Sequence, residues 1–162
     1  MSVKVLWEGL IYACVLSAIV TISQFFNPRL WLNDYPKEIQ NMVPENTKEE
    51  KLIKGLIGIP FLLIMFGYPI YSTYALKISM GTSFTILIAF FNMLIICSIF
   101  NLFDLLILDW LIFCRINPKY LILKGTNGAR AYQDYNFHLR GARKGFRISV
   151  LVSAVISILI SL

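Results

Sequence analysis

The chain has 162 residues, of which 57% are hydrophobic and only 15% are charged. Soluble domains carry about 25% charged residues, so this composition excludes an ordinary water-soluble protein. The formal charge of +6 at pH 7 is typical of a membrane protein with basic loops, and it requires no nucleic acid as a partner.

Four apolar segments take up more than half of the sequence. Crossing the roughly 30 Å hydrocarbon core of a bilayer requires about 20 apolar residues. Three of the segments meet that length, and the fourth, at 17 residues, is just long enough. The sequence therefore predicts an all-α integral membrane protein of one domain, residues 1–162, with transmembrane helices at about 5–26, 52–76, 84–110 and 146–162.

The first apolar segment is expected to be a transmembrane helix rather than a cleaved signal peptide. Glu8 interrupts its charged region, and no small-x-small cleavage site precedes Asn27. The three cysteines fit neither a disulfide framework nor a metal site, because Cys14 and Cys97 lie inside apolar segments.

The distribution of lysine and arginine predicts the orientation of the helices. Thirteen of the fifteen basic residues lie in the loops 27–51 and 111–145 or at the adjoining helix ends, and only Lys4 and Lys77 lie on the other side. By the positive-inside rule, both long loops are then cytoplasmic and both termini are outside. Because the sequence has no eukaryotic targeting signal, the expected location is the plasma membrane, by default a bacterial inner membrane.

Both long loops mix apolar residues with charges and lack Gly/Ser-rich linkers, so they are expected to be ordered amphipathic segments at the membrane interface. Thr47 and Glu50 have the spacing of a capping box, which predicts a helix start near Lys48. The apolar residues of the first loop that are expected to face the lipid headgroups are Trp31, Leu32, Tyr35, Ile39 and Met42.

The second loop is predicted to hold a short extended run, residues 120–123, followed by a turn between Gly125 and Gly128. Thr126 or Asn127 is expected to cap a helix that begins near Ala129 and continues toward the fourth span.

Two prolines, Pro60 and Pro69, are expected to kink the second transmembrane helix. Each one frees the carbonyl four residues earlier, at Leu56 and Met65. Two interpretations stay open: the freed carbonyls line a polar cavity or act as a hinge, or the helix simply bends and packs closely against a neighbour.

The third span carries two acids, Asp104 and Asp109, in an otherwise apolar helix. Each would cost on the order of 3 kcal/mol at the helix centre facing lipid, so both are expected to face protein or water. At about 100° per residue, Asn101 and Asp104 share one stripe, and Asp109 lies on the other side of Asn101, which gives a polar sector of about 140°.

The segment before the fourth span carries a basic stripe, because four cations recur at helical offsets and form one positive face suited to phosphate. Just upstream, Asp134 and His138 form an i, i+4 pair in which the carboxylate is expected to orient the only histidine. The residues of the basic stripe are Arg140, Arg143, Lys144 and Arg147.

The functional interpretation joins these groups in one site at the cytoplasmic membrane interface. The basic stripe then binds an anionic lipid headgroup or a phosphorylated small molecule, and the acids and the histidine supply proton or cation chemistry. In the structural interpretation, the aspartates instead pair with arginines to fix helix packing. The candidate catalytic residues are Asp104, Asp109 and His138, and the polar lining is Asn101 and Asp134.

Three functions are compatible with the sequence. The first is ligand binding at the interfacial site, with or without turnover, and the second is an ion- or proton-coupled carrier or oligomeric channel that uses Asp104. The third is a scaffold subunit of a membrane complex or of a homo-oligomer. The sequence assigns no metal or other cofactor, and a haem is not expected, because one histidine cannot supply two axial ligands within a monomer.

Overall fold

The computed structural model describes residues 3–162, which form helices and turns without any strand. Four of the helices are long and apolar enough to cross a membrane, which confirms the predicted number. In chain order, with one short helix between the first two long ones, the helices are α1 (Val3–Phe26), α2 (Lys37–Asn41), α3 (Lys48–Met80), α4 (Ile86–Phe103) and α5 (Tyr135–Ser161).

Beyond its last residue, α4 continues directly into a π-helix, Asp104–Ile116. In a π-helix each amide bonds the carbonyl five residues earlier, and the last such bond joins the Asn117 amide to the Ile112 carbonyl at 2.8 Å. Asn117 then adopts a left-handed φ of 44°, which ends the helix. This wider helix brings residues five apart onto one face, a register that the sequence analysis did not predict.

The continuous rod of α4 and the π-helix lies at the centre of the bundle and packs against α1, α3 and α5. Two glycines allow close approach: a Cβ atom at Gly9 would overlap Ile99, and one at Gly145 would overlap Asn101. The bundle has a loop end, where both long loops lie, and a terminal end, where α1 begins, α5 ends and a short turn joins α3 to α4.

The start of α3 agrees with the prediction. The Glu50 amide donates to the Thr47 hydroxyl at 3.1 Å, and the Thr47 amide donates to the Glu50 carboxylate at 2.9 Å. Arg29 in the first loop also binds this carboxylate, with its Nε 2.7 Å from Oε1. The capping box and Arg29 together tie the first loop to α3.

The start of α5 differs from the prediction. The helix begins at Tyr135 rather than near Ala129, because Asp134 accepts a hydrogen bond from the Phe137 amide at 2.9 Å and thereby caps it. A short 3₁₀ turn, Arg130–Gln133, precedes this cap. The whole basic stripe therefore lies on α5.

The outer surface of the bundle is apolar, most clearly along α3. In its most apolar stretch only 6% of the residues are buried within the protein, and Leu56, Ile59 and Leu63 are all exposed. Water-soluble proteins do not carry a continuous apolar surface of this extent. This surface supports the interpretation of the chain as a multi-pass membrane protein.

The two long loops pack against each other at the loop end, and residues 27–47 and 117–134 are called the loop layer below. The Tyr35 hydroxyl donates to the Leu121 carbonyl at 2.9 Å, and the Tyr132 hydroxyl accepts from the Leu123 amide at 2.9 Å. The layer therefore has its own core with the end of the π-helix, formed by Leu32, Tyr35, Ile39, Phe113, Cys114, Leu121, Leu123, Ala131 and Tyr132.

This core corrects the expectation that the first loop lays its apolar residues on the membrane. Leu32, Tyr35 and Ile39 are each at most 6% exposed, because the second loop covers them. The predicted extended run, residues 120–123, is wrong in its first half, because Tyr120 and Leu121 belong to a 3₁₀ turn, Lys119–Leu121, whereas Ile122 after the turn is extended. The apolar residues among the charges of these loops correctly predicted ordered segments, but those in this core pack against protein and not against lipid.

Of the two carbonyls that the prolines of α3 free, the one at Met65 has a partner on α1. The Tyr12 hydroxyl donates to it at 2.7 Å, and Tyr12 is 3% exposed. The proline at position 69 is itself buried. At this proline the structure favours close helix packing over an open polar cavity.

We expect Tyr12→Phe to lower the free energy of unfolding by about 1 kcal/mol, because the Met65 carbonyl loses its donor where no water replaces it. Reversible unfolding in mixed micelles measures the change. Tyr74→Phe is the control, since Tyr74 is 53% exposed and lies on α3, the helix that carries Met65. Equal losses in the two variants would show that the Tyr12 hydrogen bond contributes nothing.

Candidate functional site at the loop end

The only histidine of the chain pairs with an acid of the π-helix. His138 Nδ1 lies 2.9 Å from Asp109 Oδ1, and the two side chains are 4% and 26% exposed. His138 is in the first turn of α5, which Asp134 fixes, and Asp109 lies halfway along the π-helix. The Asp109–His138 pair therefore joins the π-helix to α5 next to the loop layer.

The imidazole is enclosed by aromatic rings. The rings of Phe113 and Phe137 lie 4.9 Å and 5.2 Å from that of His138. Its Nε2 atom is buried and has no hydrogen-bond partner among the described residues. A histidine held by a carboxylate on one nitrogen and free on the other has the arrangement of a proton acceptor.

The structure pairs His138 with Asp109 and not with Asp134, which corrects the predicted i, i+4 pair. Asp134 instead caps α5 and lies 3.8 Å from Arg140. A helix cap must precede its helix, so its carboxylate turns toward free backbone amides and away from the side chain four residues later.

The π-helix also changes the predicted positions of the two acids. With α-helical spacing they fall on different faces, whereas five residues separate neighbours along a π-helix face. Asp104 and Asp109 are five apart and lie on successive turns of this helix. Asp109 is accordingly an electrostatic neighbour of Asp104, and Asp34 is another.

Asp34 and Lys54, which the sequence analysis missed, are further charged neighbours of this group. The group of Asp34, Lys54, Asp104, Asp109 and His138 is called the charged crevice below. Asp34 ends the 3₁₀ turn Pro28–Asp34 in the loop layer, and Lys54 lies on α3. Desolvation by the surrounding protein raises the pKa of Asp34; Lys54 and His138 oppose this, and Asp109 adds to it. No local pattern marks either residue, because only the packing of the first loop brings them to the π-helix.

The basic stripe does not join the acids and the histidine in one site. Gly145 approaches Asn101 on α4, and Ser149 bonds the same residue at 3.1 Å. His138, Gly145 and Ser149 share the α5 face that packs on α4, since they are spaced at whole helical turns. The four residues of the basic stripe are all exposed, and no arginine of the described chain pairs with Asp104 or Asp109.

Two members of the basic stripe, Arg143 and Arg147, line a groove of about 320 Å³ between α4 and α5. Neither has an acidic partner within the described chain. The other two differ: Arg140 faces Asp134, and Lys144 does not line the groove. The remaining groove residues, mostly apolar, are Ser98, Asn101, Leu102, Leu105, Leu139, Ala142 and Phe146.

Asn101, predicted as polar lining, lies in the groove wall but is already bonded. Its amide donates to the Cys97 carbonyl at 3.0 Å and to the Ser149 hydroxyl at 3.1 Å. It therefore holds α4 to α5 beside the groove.

Across residues 3–162, no group of three or more His, Cys, Asp or Glu side chains is placed to hold a metal ion. The carboxylates of the crevice therefore do not form a metal centre with His138. The chemistry that the crevice supports is proton binding, and the chemistry that the groove supports is recognition of an anion beside an apolar chain.

We expect Asp34→Asn to stabilise the fold slightly at pH 7, because neighbouring protein partly desolvates this carboxylate although the residue as a whole is exposed. The raised pKa means that native protein takes up a proton before unfolded protein does, so the wild type gains stability as pH falls toward about 4, the ordinary aspartate value. The advantage of the variant should vanish below that pH, where Asp34 is protonated in both states.

Unfolding midpoints between pH 3 and pH 8 test this, with Glu45→Gln as the control, since the Glu45 side chain is 93% exposed. A constant difference between Asp34→Asn and the wild type at every pH would contradict the prediction.

The chain has no match among protein family models, curated proteins or solved structures. Its function must therefore follow from the arrangement of its own side chains.

Proposed function

We propose that this chain is a multi-pass plasma-membrane protein that binds an anionic phospholipid in the groove between α4 and α5. The long loops are placed in the cytoplasm because they carry nearly all of the lysine and arginine. The groove then opens toward the cytoplasmic leaflet, where anionic lipids are enriched. The proposal covers binding and assigns no turnover.

One observation carries the proposal: Arg143 and Arg147 flank an apolar groove and have no acidic partner within the described chain. They lie about 12 Å and 18 Å along α5 from its first residue at 1.5 Å per residue. They therefore lie on either side of residue 146, the predicted start of the fourth span, where an arginine that faces the headgroups needs a counter-charge. A lipid phosphate supplies that charge, and a guanidinium group binds it through two hydrogen bonds.

The shape of the groove favours a phospholipid over a soluble phosphate. Leu102, Leu105 and Phe146 present carbon to the groove, and a free phosphate would leave that surface uncovered. An acyl chain lying along them extends from a headgroup held by the arginines. The arginines therefore match the phosphate of a phospholipid headgroup, and the apolar residues match its acyl chain.

We expect Arg143→Ala and Arg147→Ala each to weaken binding of phosphatidylglycerol about tenfold or more, because a hydrogen bond to a charged group contributes about 1.5–3 kcal/mol. Native mass spectrometry of protein from lipid nanodiscs measures the retained lipid. Lys144→Ala is the matched control, since it removes one positive charge from the neighbouring position outside the groove.

The same assay is repeated with phosphatidylcholine as the neutral lipid and with soluble glycerol phosphate as a competitor that has no acyl chain. Equal retention of the neutral lipid, or equal loss in Lys144→Ala, would contradict the proposal. Displacement of the lipid by glycerol phosphate alone would show that the ligand is the free phosphate compound and not the lipid.

A second candidate function is proton-coupled transport through the charged crevice. The observation that favours it is the free Nε2 atom of His138, buried beside Asp109, with Asp34 and Asp104 close to that acid. Groups that exchange protons in a membrane bundle are typical of carriers and pumps.

If the crevice carries protons, Asp104→Asn should abolish acidification of proteoliposomes under a potassium gradient, because the amide cannot exchange a proton. Glu49→Gln, an exposed acid at the start of α3, is the control. Equal proton flux in wild type and Asp104→Asn would exclude this function. Stable co-purification with another membrane protein, without either activity, would favour a scaffold.

A further inference from the structure

A cavity of about 510 Å³ lies at the terminal end of the bundle, between α1, α3 and α4. Its size falls within the roughly 300–1,000 Å³ of small-molecule pockets. It is remote from the groove and the crevice, which belong to the loop end, and the sequence analysis singled out none of its residues as a site. Its walls combine one polar side with an apolar remainder.

The polar side is a chain of hydrogen bonds that ends on a carboxylate. The Asn92 amide donates to the Ser72 hydroxyl at 3.3 Å, and the Ser72 hydroxyl donates to Glu8 Oε2 at 2.6 Å. Asn92 is also anchored by Thr73, 3.1 Å away. Because Asn92 and Ser72 are at most 7% exposed, Glu8 is held in place at the cavity wall.

Glu8 has an incomplete set of partners for an acid in apolar surroundings. Its Oε1 atom faces Lys4 Nζ at 3.6 Å, and the Lys4 side chain is 70% exposed whereas that of Glu8 is 23% exposed. An exposed i, i+4 pair is weak, and a carboxylate removed from water needs a close counter-charge. Lys4, which also lines the cavity, is therefore a weak partner that a better-placed cation can displace from Oε1.

The rest of the cavity offers apolar contact. Phe91 and Leu87 from α4 face Leu76 and Met80 from α3 across it, with Val5 and Ile88 completing the wall. Two of the helices that form it, α3 and α4, meet at a short turn beside it, Gly81–Ser83.

We infer that this cavity binds a cationic amphiphile, an ammonium group attached to an alkyl chain. The ammonium group takes the position beside Glu8 Oε1 and donates hydrogen bonds to it, while the alkyl chain covers Leu87 and Phe91. The ligand's ammonium group displaces the exposed Lys4 Nζ from Oε1, whereas an anionic amphiphile is opposed by Glu8 and a neutral one leaves the carboxylate with only the 3.6 Å Lys4 pair. This inference does not depend on the lipid groove, because the two sites share no residue.

The test compares dodecylammonium with dodecanol, which has the same chain and no charge. Equilibrium dialysis against protein in nanodiscs at pH 7, with empty nanodiscs as the blank, measures both. Wild type should bind dodecylammonium at least tenfold more tightly than dodecanol, and Glu8→Gln should remove that preference. Glu49→Gln, an exposed acid at the loop end, should retain it.

A second variant covers the case in which Glu8→Gln does not fold. Leu87→Trp fills the cavity from an exposed position on α4 and leaves Glu8 unchanged, so it should weaken binding of both probes at least fivefold. The inference is overturned if wild type binds the two probes equally, if Glu8→Gln keeps the tenfold preference, or if Leu87→Trp binds both probes as wild type does.

Discussion

Polar side chains inside an apolar bundle must find protein partners, since hydrocarbon offers none. The rod formed by α4 and the π-helix carries most of these groups, and three of its polar side chains form hydrogen bonds to neighbouring helices. Asn92 bonds Ser72 on α3, Asn101 bonds Ser149 on α5, and Asp109 bonds His138 on α5. The helices are thus held to one central rod by specific hydrogen bonds as well as by packing, so the bundle has a fixed register from end to end.

That register separates two chemically opposite regions. At the loop end, unpaired arginines border an apolar groove, whereas at the terminal end a carboxylate borders an apolar cavity. Each region sets charged side chains beside carbon, the composition that amphiphiles match. The charged crevice lies where the loop layer meets the bundle, and within it aromatic rings flank His138, whose free nitrogen is suited to a proton.

Much of the fold follows from sequence patterns, because hydrophobic length and capping act locally. The four long helices and the Thr47 cap of α3 belong to this class. The pairing of His138 with Asp109 could not be predicted in this way, because a π-helix cannot be recognised from a periodicity that assumes 3.6 residues per turn. The position of Asp34 and the core around Tyr35 depend on how two distant loops meet, which neither loop encodes alone. The Glu8 cavity needs three helices and has no motif.

The Asp109–His138 hydrogen bond also depends on the π-helical winding of residues 104–116. If residues 104–116 wound as an α-helix instead, side chains five apart would lie about 140° apart around the helix axis, and Asp109 would no longer follow Asp104 on the next turn. The loop layer, which packs on the end of this helix through Phe113 and Cys114, would have to rotate with it. One hydrogen bond at the loop end thereby couples the winding of the central rod to the position of the loop layer.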